Sequence, residues 1–140
     1  MEDLMNQALH HQMNWIAVLV TGAIGFAIGG LWYSKLLFAG AWMKEVGITE
    51  ADAKKVSVPM LMGSAFALTL LIAYCIARLG LRWSGWEGGL KVGLLVGTAV
   101  AASTGINCLF EMRSLRLALI NGGHELATCA VMGAVLGAWR

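Results

Sequence analysis

The sequence predicts an all-α membrane protein with four transmembrane helices in two antiparallel hairpins, and three observations carry that prediction. Hydrophobic residues make up 59% of the 140-residue chain and charged residues 13%, against about 45–50% and 25% in soluble domains. The apolar residues gather in four runs, 14–34, 60–79, 88–110 and 117–139, each near the ~20 residues that carry a helix across a hydrocarbon core about 30 Å thick. A single proline, Pro59, suits a chain that is mostly helix. At a mean hydropathy of +0.72 a soluble fold would expose large apolar patches, so lipid is the natural solvent. The length allows one domain, 1–140.

The first run, Asn14 to Tyr33, has no charged residue, and Trp15 at one end and Trp32-Tyr33 at the other suit the two headgroup levels. The acidic start Met1-Glu2-Asp3 and the length of the run argue against a cleaved signal peptide, so this helix is expected in the mature protein. Small residues recur at every fourth position, and Gly25 and Gly29 form a GxxxG pair suited to close helix packing. Glycine is also simply frequent in membrane helices. Ahead of the run, Met1–Gln12 reads as a short amphipathic turn on the membrane surface. Its His10-His11 pair reads as surface histidines, because adjacent helical side chains do not face one metal site.

After Tyr33 the chain is expected to bend into the headgroup zone, with Lys35 snorkelling and Trp42 as an anchor. Thr49 with Glu50 and Asp52 has the form of a helix start. The helix either pauses at Val58-Pro59 or begins afresh with Pro59 at its first position. The second run continues the small-residue theme through Gly63, Ala67, Ala73 and Ala77. The third carries the longest ladder, Gly89, Gly93, Gly97, Ala101 and Gly105, and the fourth adds Gly133 and Gly137. These glycines read as helix-packing positions and suggest self-association, although a groove along the same edge is an alternative.

Polar residues inside the runs are the candidate site. Thr104, Asn107 and Glu111 share one face of the third helix, and Asn121, His124, Glu125 and Thr128 share one face of the fourth. In an antiparallel hairpin the two groups lie at similar depth, and Trp32 and Tyr33 reach the same leaflet. Ionisable side chains in a membrane are costly and mark ion or substrate pathways by default. Two plainer readings stand beside this one. Glu111 can be an end-charge paired with Arg113 or Arg116, and Glu125 and His124 can form a structural contact between helices.

Gly29 to Met43, with its Gly-Gly-Leu-Trp-Tyr-Ser-x-Leu-Leu-Phe core, resembles the signature of a small bacterial inner-membrane family catalogued as a domain of unknown function. The likeness extends through Gly47-Ile48-Thr49-Glu50, Phe110-Glu111-x-Arg113, Ile120-Asn121-x-Gly123 and Met132 to Trp139. Two positions depart from the family pattern: Lys35 stands where proline is usual, and His124 where an aromatic is commoner. The resemblance implies four membrane crossings and supplies no activity and no catalytic residue.

Several function classes lack support. His124-Glu125 has only the first half of HExxH, and GxSxG, P-loop and paired CxxC motifs do not occur, so no enzyme, cofactor or metal is expected. Cys75, Cys108 and Cys129 lie within apolar runs, are odd in number, and read as buried apolar residues. A net charge of +2 without a basic patch gives no case for nucleic acid. The reading is therefore an oligomeric small transporter or channel for protons, cations or small solutes. Its alternative is an accessory protein whose glycine-rich faces dock an unknown protein partner. Lys35, Lys44, Lys54, Lys55, Arg113 and Arg116 lie at one end of the bundle, against Arg78, Arg82, Lys91 and Arg140 at the other. The positive-inside rule then places both termini outside a bacterial inner membrane.

Overall fold

The computed structural model describes residues 1–4 and 13–139. The His10-His11 reading, residues 5–12 of the expected surface turn and the contribution of Arg140 to the charge balance lie outside the described residues. From Trp15 the described residues form helices joined by short turns: α1 Trp15–Trp32, α2 Ala39–Val46, α3 Glu50–Ala53, α4 Val58–Leu79, a 3-10 turn Gly80–Arg82, α5 Gly85–Phe110 and α6 Leu115–Ala138. Four of these segments are long and apolar enough to cross a membrane: Trp15–Trp32, Val58–Arg82, Gly85–Phe110 and Leu115–Ala138.

Local chemistry sets the ends. The Asn14 carboxamide accepts from the Ala17 N–H at 3.0 Å and opens α1. After Tyr33 the Ser34 hydroxyl donates to the Leu31 carbonyl at 2.7 Å, and the Phe38 N–H closes the turn on the Trp32 carbonyl at 3.0 Å. The short α2 ends at Gly47, whose φ of 79° suits a residue without Cβ. Thr49 and Asp52 form a reciprocal capping box for α3. A new helix then starts at Val58 with Pro59 in its first turn, so the second of the two sequence alternatives is the one adopted. Between α5 and α6, Met112 takes φ 54° while the Arg113 N–H bonds back to the Cys108 carbonyl at 2.8 Å. A Schellman-like stop thus makes this turn without glycine. Ser114 caps α6 by accepting from the Leu117 N–H at 3.1 Å.

The helix α6 is the hub, because α1, α4 and α5 all pack on it. Its seam with α5 is backbone against backbone. A Cβ placed on Gly89 would overlap the Gly133 carbonyl and lie 2.8 Å from the Gly137 Cα. One on Gly97 would lie 3.0 Å from the Cys129 Cβ and the Leu126 Cα. Partners descend along α6 as the numbers rise along α5, so the two helices run in opposite directions. The pair α1 and α4 shows the same sense, with Trp15 stacked on Tyr74 at 5.8 Å and Phe26 edge-on to Phe66 at 5.5 Å. The core at the Trp15 end brings together Ala17, Val18, Ala73, Ile76, Ala77, Val92, Cys129, Met132 and Leu136.

Not every small residue lies in a seam. No heavy atom stands within 4 Å of a Cβ built on Gly105 or Gly63, and Ala67 is exposed. The expectation that Gly105 continues the ladder is corrected by helix geometry. At about 100° per residue, a four-residue step drifts about 40° around the axis. Gly105 therefore stands about 80° from Gly97, whereas Cys108, eleven residues on, returns to the inward face and is buried. Gly25 and Gly29 are also used within the chain. Cβ atoms there would lie 2.6 Å from the Met132 Sδ and 3.2 Å from the His124 Nε2. Among the cysteines, Cys108 and Cys129 are buried, but Cys75 is exposed, which corrects its reading as a buried residue.

Candidate functional site

Between α1, α4 and α6 lies a cavity of 610 Å³, within the range of about 300–1,000 Å³ usual for small-molecule sites. The glycines of α1 leave the space, since larger residues at 25 and 29 would fill it from one side. The α4 wall is Ala65, Leu68, Thr69 and Ile72, and the α6 wall is His124, Glu125, Thr128 and Met132. At its rim Gly30, Met62 and Leu68 are exposed, so the mouth opens sideways, toward the apolar surroundings of the bundle.

One wall carries nearly all the polarity. His124, Glu125 and Thr128 stand at i, i+1 and i+4 on α6, roughly 15 Å along a helix about 36 Å long, close to mid-depth of the apolar layer. The His124 Nδ1 lies 3.6 Å from the Glu125 carboxylate, beyond hydrogen-bond reach. Among the described residues neither imidazole nitrogen has a hydrogen-bond partner, nor has the Thr128 hydroxyl, although all three atoms are buried. Among the described residues the only cationic partner of Glu125 is this imidazole, when protonated. By contrast, the Thr69 hydroxyl is satisfied by the Ala65 carbonyl at 2.8 Å. Native proteins rarely leave such atoms unpaired, because each costs about 1–3 kcal/mol. Three of the four such atoms found among the described residues thus belong to this wall, the fourth being the Thr21 hydroxyl away from the cavity.

An aromatic frame holds the imidazole. The Tyr33 and Trp32 rings lie 5.1 and 6.1 Å from that of His124. Tyr33 is fixed by its hydroxyl, which donates to the Asn121 carboxamide at 2.9 Å, and by Trp42 packed edge-on at 5.8 Å. Trp32 is fixed by its indole N–H, which donates to the Ile120 carbonyl at 3.0 Å, and by Phe38 at 4.8 Å. The bend after α1 thus folds the Trp-Tyr pair back onto α6.

The structure brings Tyr33, His124, Glu125 and Thr128 to the cavity and places Asn121 and Trp32 behind it. It does not bring Asn107 or Glu111 there. Asn107 is exposed, about 100° around α5 from the inward-facing Cys108. Glu111 follows the last turn, exposed, with the Arg113 Nε 4.0 Å away, which is the end-charge alternative. Thr104 does not line the cavity either. Sequence reasoning missed the α4 wall. Its signal was the helical spacing of Met62, Ala65, Thr69 and Ile72, hidden in a run where nearly every residue is apolar.

Helices of this length and hydropathy, packed with a carboxylate inside the apolar layer, define a multi-pass membrane protein. Among proteins of that class this chain belongs to the family described as "Protein of unknown function (DUF1761)", which it matches over residues 16–137. No curated protein and no solved structure matches it.

Proposed function

We propose that the chain is a small membrane carrier for hydrophobic organic cations, with Glu125 as the charge that binds them. The observation that carries this reading is the ligand-sized, laterally open cavity whose carboxylate, Glu125, has no lysine or arginine partner among the described residues. Apolar and glycine walls suit a greasy solute arriving through the lateral mouth, and Phe26 and Tyr33 offer ring faces for a cation. His124 beside the carboxylate provides a second proton acceptor, so that proton and solute compete for one site, as exchange against protons requires. The carrier works in a bacterial cytoplasmic membrane with the Lys35, Lys54 and Arg116 end inside, by the positive-inside rule. Self-association completes the proposal. The last turns of α5, with Ile106, Leu109 and Phe110 exposed, favour a second copy there. The same surface supports the alternative of an accessory protein that docks a partner.

The test is tetraphenylphosphonium uptake into proteoliposomes carrying an outward proton gradient. Wild type accumulates the probe; Glu125→Gln, which keeps the shape and removes the charge, abolishes uptake while the unfolding midpoint stays within a few degrees. Absence of probe binding and flux in wild type refutes the carrier and leaves the docking role. A severe loss of stability in Glu125→Gln, about 3–5 kcal/mol, identifies Glu125 as half of a structural pair instead.

A further inference from the structure

A second groove is lined by Trp32. It measures 400 Å³ and runs between α2 and α6 along Phe38, Ala41, Leu119 and Ile120, with Arg116 at one end. We infer that it seats an anionic phospholipid of the surrounding bilayer, with the phosphate on the Arg116 guanidinium and one acyl chain along the apolar walls.

Depth and charge both point to that occupant. Arg116 is the second residue of α6, at the end of the bundle where Trp42, Lys44 and the capping turn of Ser114 mark the headgroup level. Arg116 stands in the first turn of α6, and a helix start favours negative charge. Among the described residues the one acid in contact with Arg116 is already engaged. Glu45 is largely buried and accepts a hydrogen bond from the Ser114 hydroxyl. Its carboxylate lies 3.7 Å from an Arg116 Nη1, and the Arg116 side chain remains 61% exposed. A guanidinium has five N–H donors, so most remain for a phosphate. Arg113 adds a second cation nearby, although it is shared between the Val46 carbonyl and Glu111. A free anion would gain nothing from the apolar walls, and in a zwitterionic lipid the headgroup ammonium offsets the phosphate charge that Arg116 meets.

The seat is coupled to the central cavity through one side chain. Trp32 lines this groove with one face while its ring stands 6.1 Å from His124 on the other side. Gly123 lets the indole lie close, since a Cβ there would be 3.3 Å from its Cζ2. A seated acyl chain therefore backs Trp32 and, through it, the imidazole. This inference is independent of whether the cavity carries organic cations.

The experiment uses the full chain, delipidated in dodecyl maltoside and titrated with dioleoyl phosphatidylglycerol or dioleoyl phosphatidylcholine, read by native mass spectrometry and by thermal unfolding. Expected is one phosphatidylglycerol retained per chain, about five- to tenfold tighter than phosphatidylcholine, as one cation at the headgroup level predicts. Arg116→Gln removes that preference. Leu119→Trp fills the groove, leaves the guanidinium in place, and weakens phosphatidylglycerol to the same degree. Equal affinity for the two lipids in wild type overturns the inference, as does a preference that survives Arg116→Gln. A preference lost in Arg116→Gln but kept in Leu119→Trp also overturns it, because surface charge alone then suffices.

Discussion

Replacing Gly93 by alanine sets two effects of opposite sign against each other. Helix propensity favours alanine by roughly 0.8–1.0 kcal/mol in an exposed helix. Against that, the new Cβ would overlap the Cys129 carbonyl oxygen, 3.0 Å from its carbon and 3.1 Å from the Ala130 Cα. These are backbone atoms, so no side chain can swing aside, and α5 must move off α6 as a body. Carbon contacts are comfortable at about 3.5–4.0 Å, and a gap of 0.5–1 Å forfeits a quarter to a half of each contact along the seam. Overpacking of this kind costs about 1–3 kcal/mol. Set against the propensity gain, Gly93→Ala is expected to destabilise by up to about 2 kcal/mol. Gly105→Ala makes the same chemical change where nothing stands within 4 Å of the new atom, and it should stabilise by up to about 1 kcal/mol. Unfolding followed by circular dichroism in dodecyl maltoside measures both. Shifts in the same direction for the two variants would refute the reasoning, because glycine's backbone freedom would then outweigh its packing role.

Two further predictions test the frame around the site. Tyr33→Phe removes the hydroxyl that donates to Asn121 and should cost about 0.5–1.5 kcal/mol; a double-mutant cycle with Asn121→Ala measures the coupling, and additive losses would show that the bond contributes nothing. In the α2–α4 connection, the Thr49 hydroxyl and N–H, and then Lys55, hold the Asp52 carboxyl below the usual carboxylate range. A lowered folded value means that the capping box stabilises α3 above the unfolded value of 3.8 and loses that contribution as pH falls through the folded one. Thr49→Ala should raise the Asp52 midpoint in a carboxyl NMR titration toward 3.8, and an unmoved midpoint would show that the cap is not formed.

Composition and run length alone determined that the chain is helical and crosses a membrane, because the hydrocarbon layer demands about twenty apolar residues per crossing and accepts little else. The helix start at Thr49 was legible for a similarly local reason, since a cap is completed within four residues, whereas the caps at Asn14 and Ser114 emerged only in the structure. The α6 face bearing Asn121, His124, Glu125 and Thr128 was legible as well, since one helix sets its own periodicity. Which face of each helix meets which neighbour was decided only by the tertiary packing. In a run where both lipid-facing and buried positions are apolar, hydropathy has no contrast between inside and outside. That is why Gly105 and Gly97 read alike although only Gly97 meets α6, and why Asn107 and Glu111 seemed to belong with Glu125. It is also why the α4 wall of the cavity stayed hidden. The fold of Trp32 and Tyr33 back onto α6 depends on hydrogen bonds to Ile120 and Asn121, each spanning 88 residues of chain, a distance over which no local pattern reports.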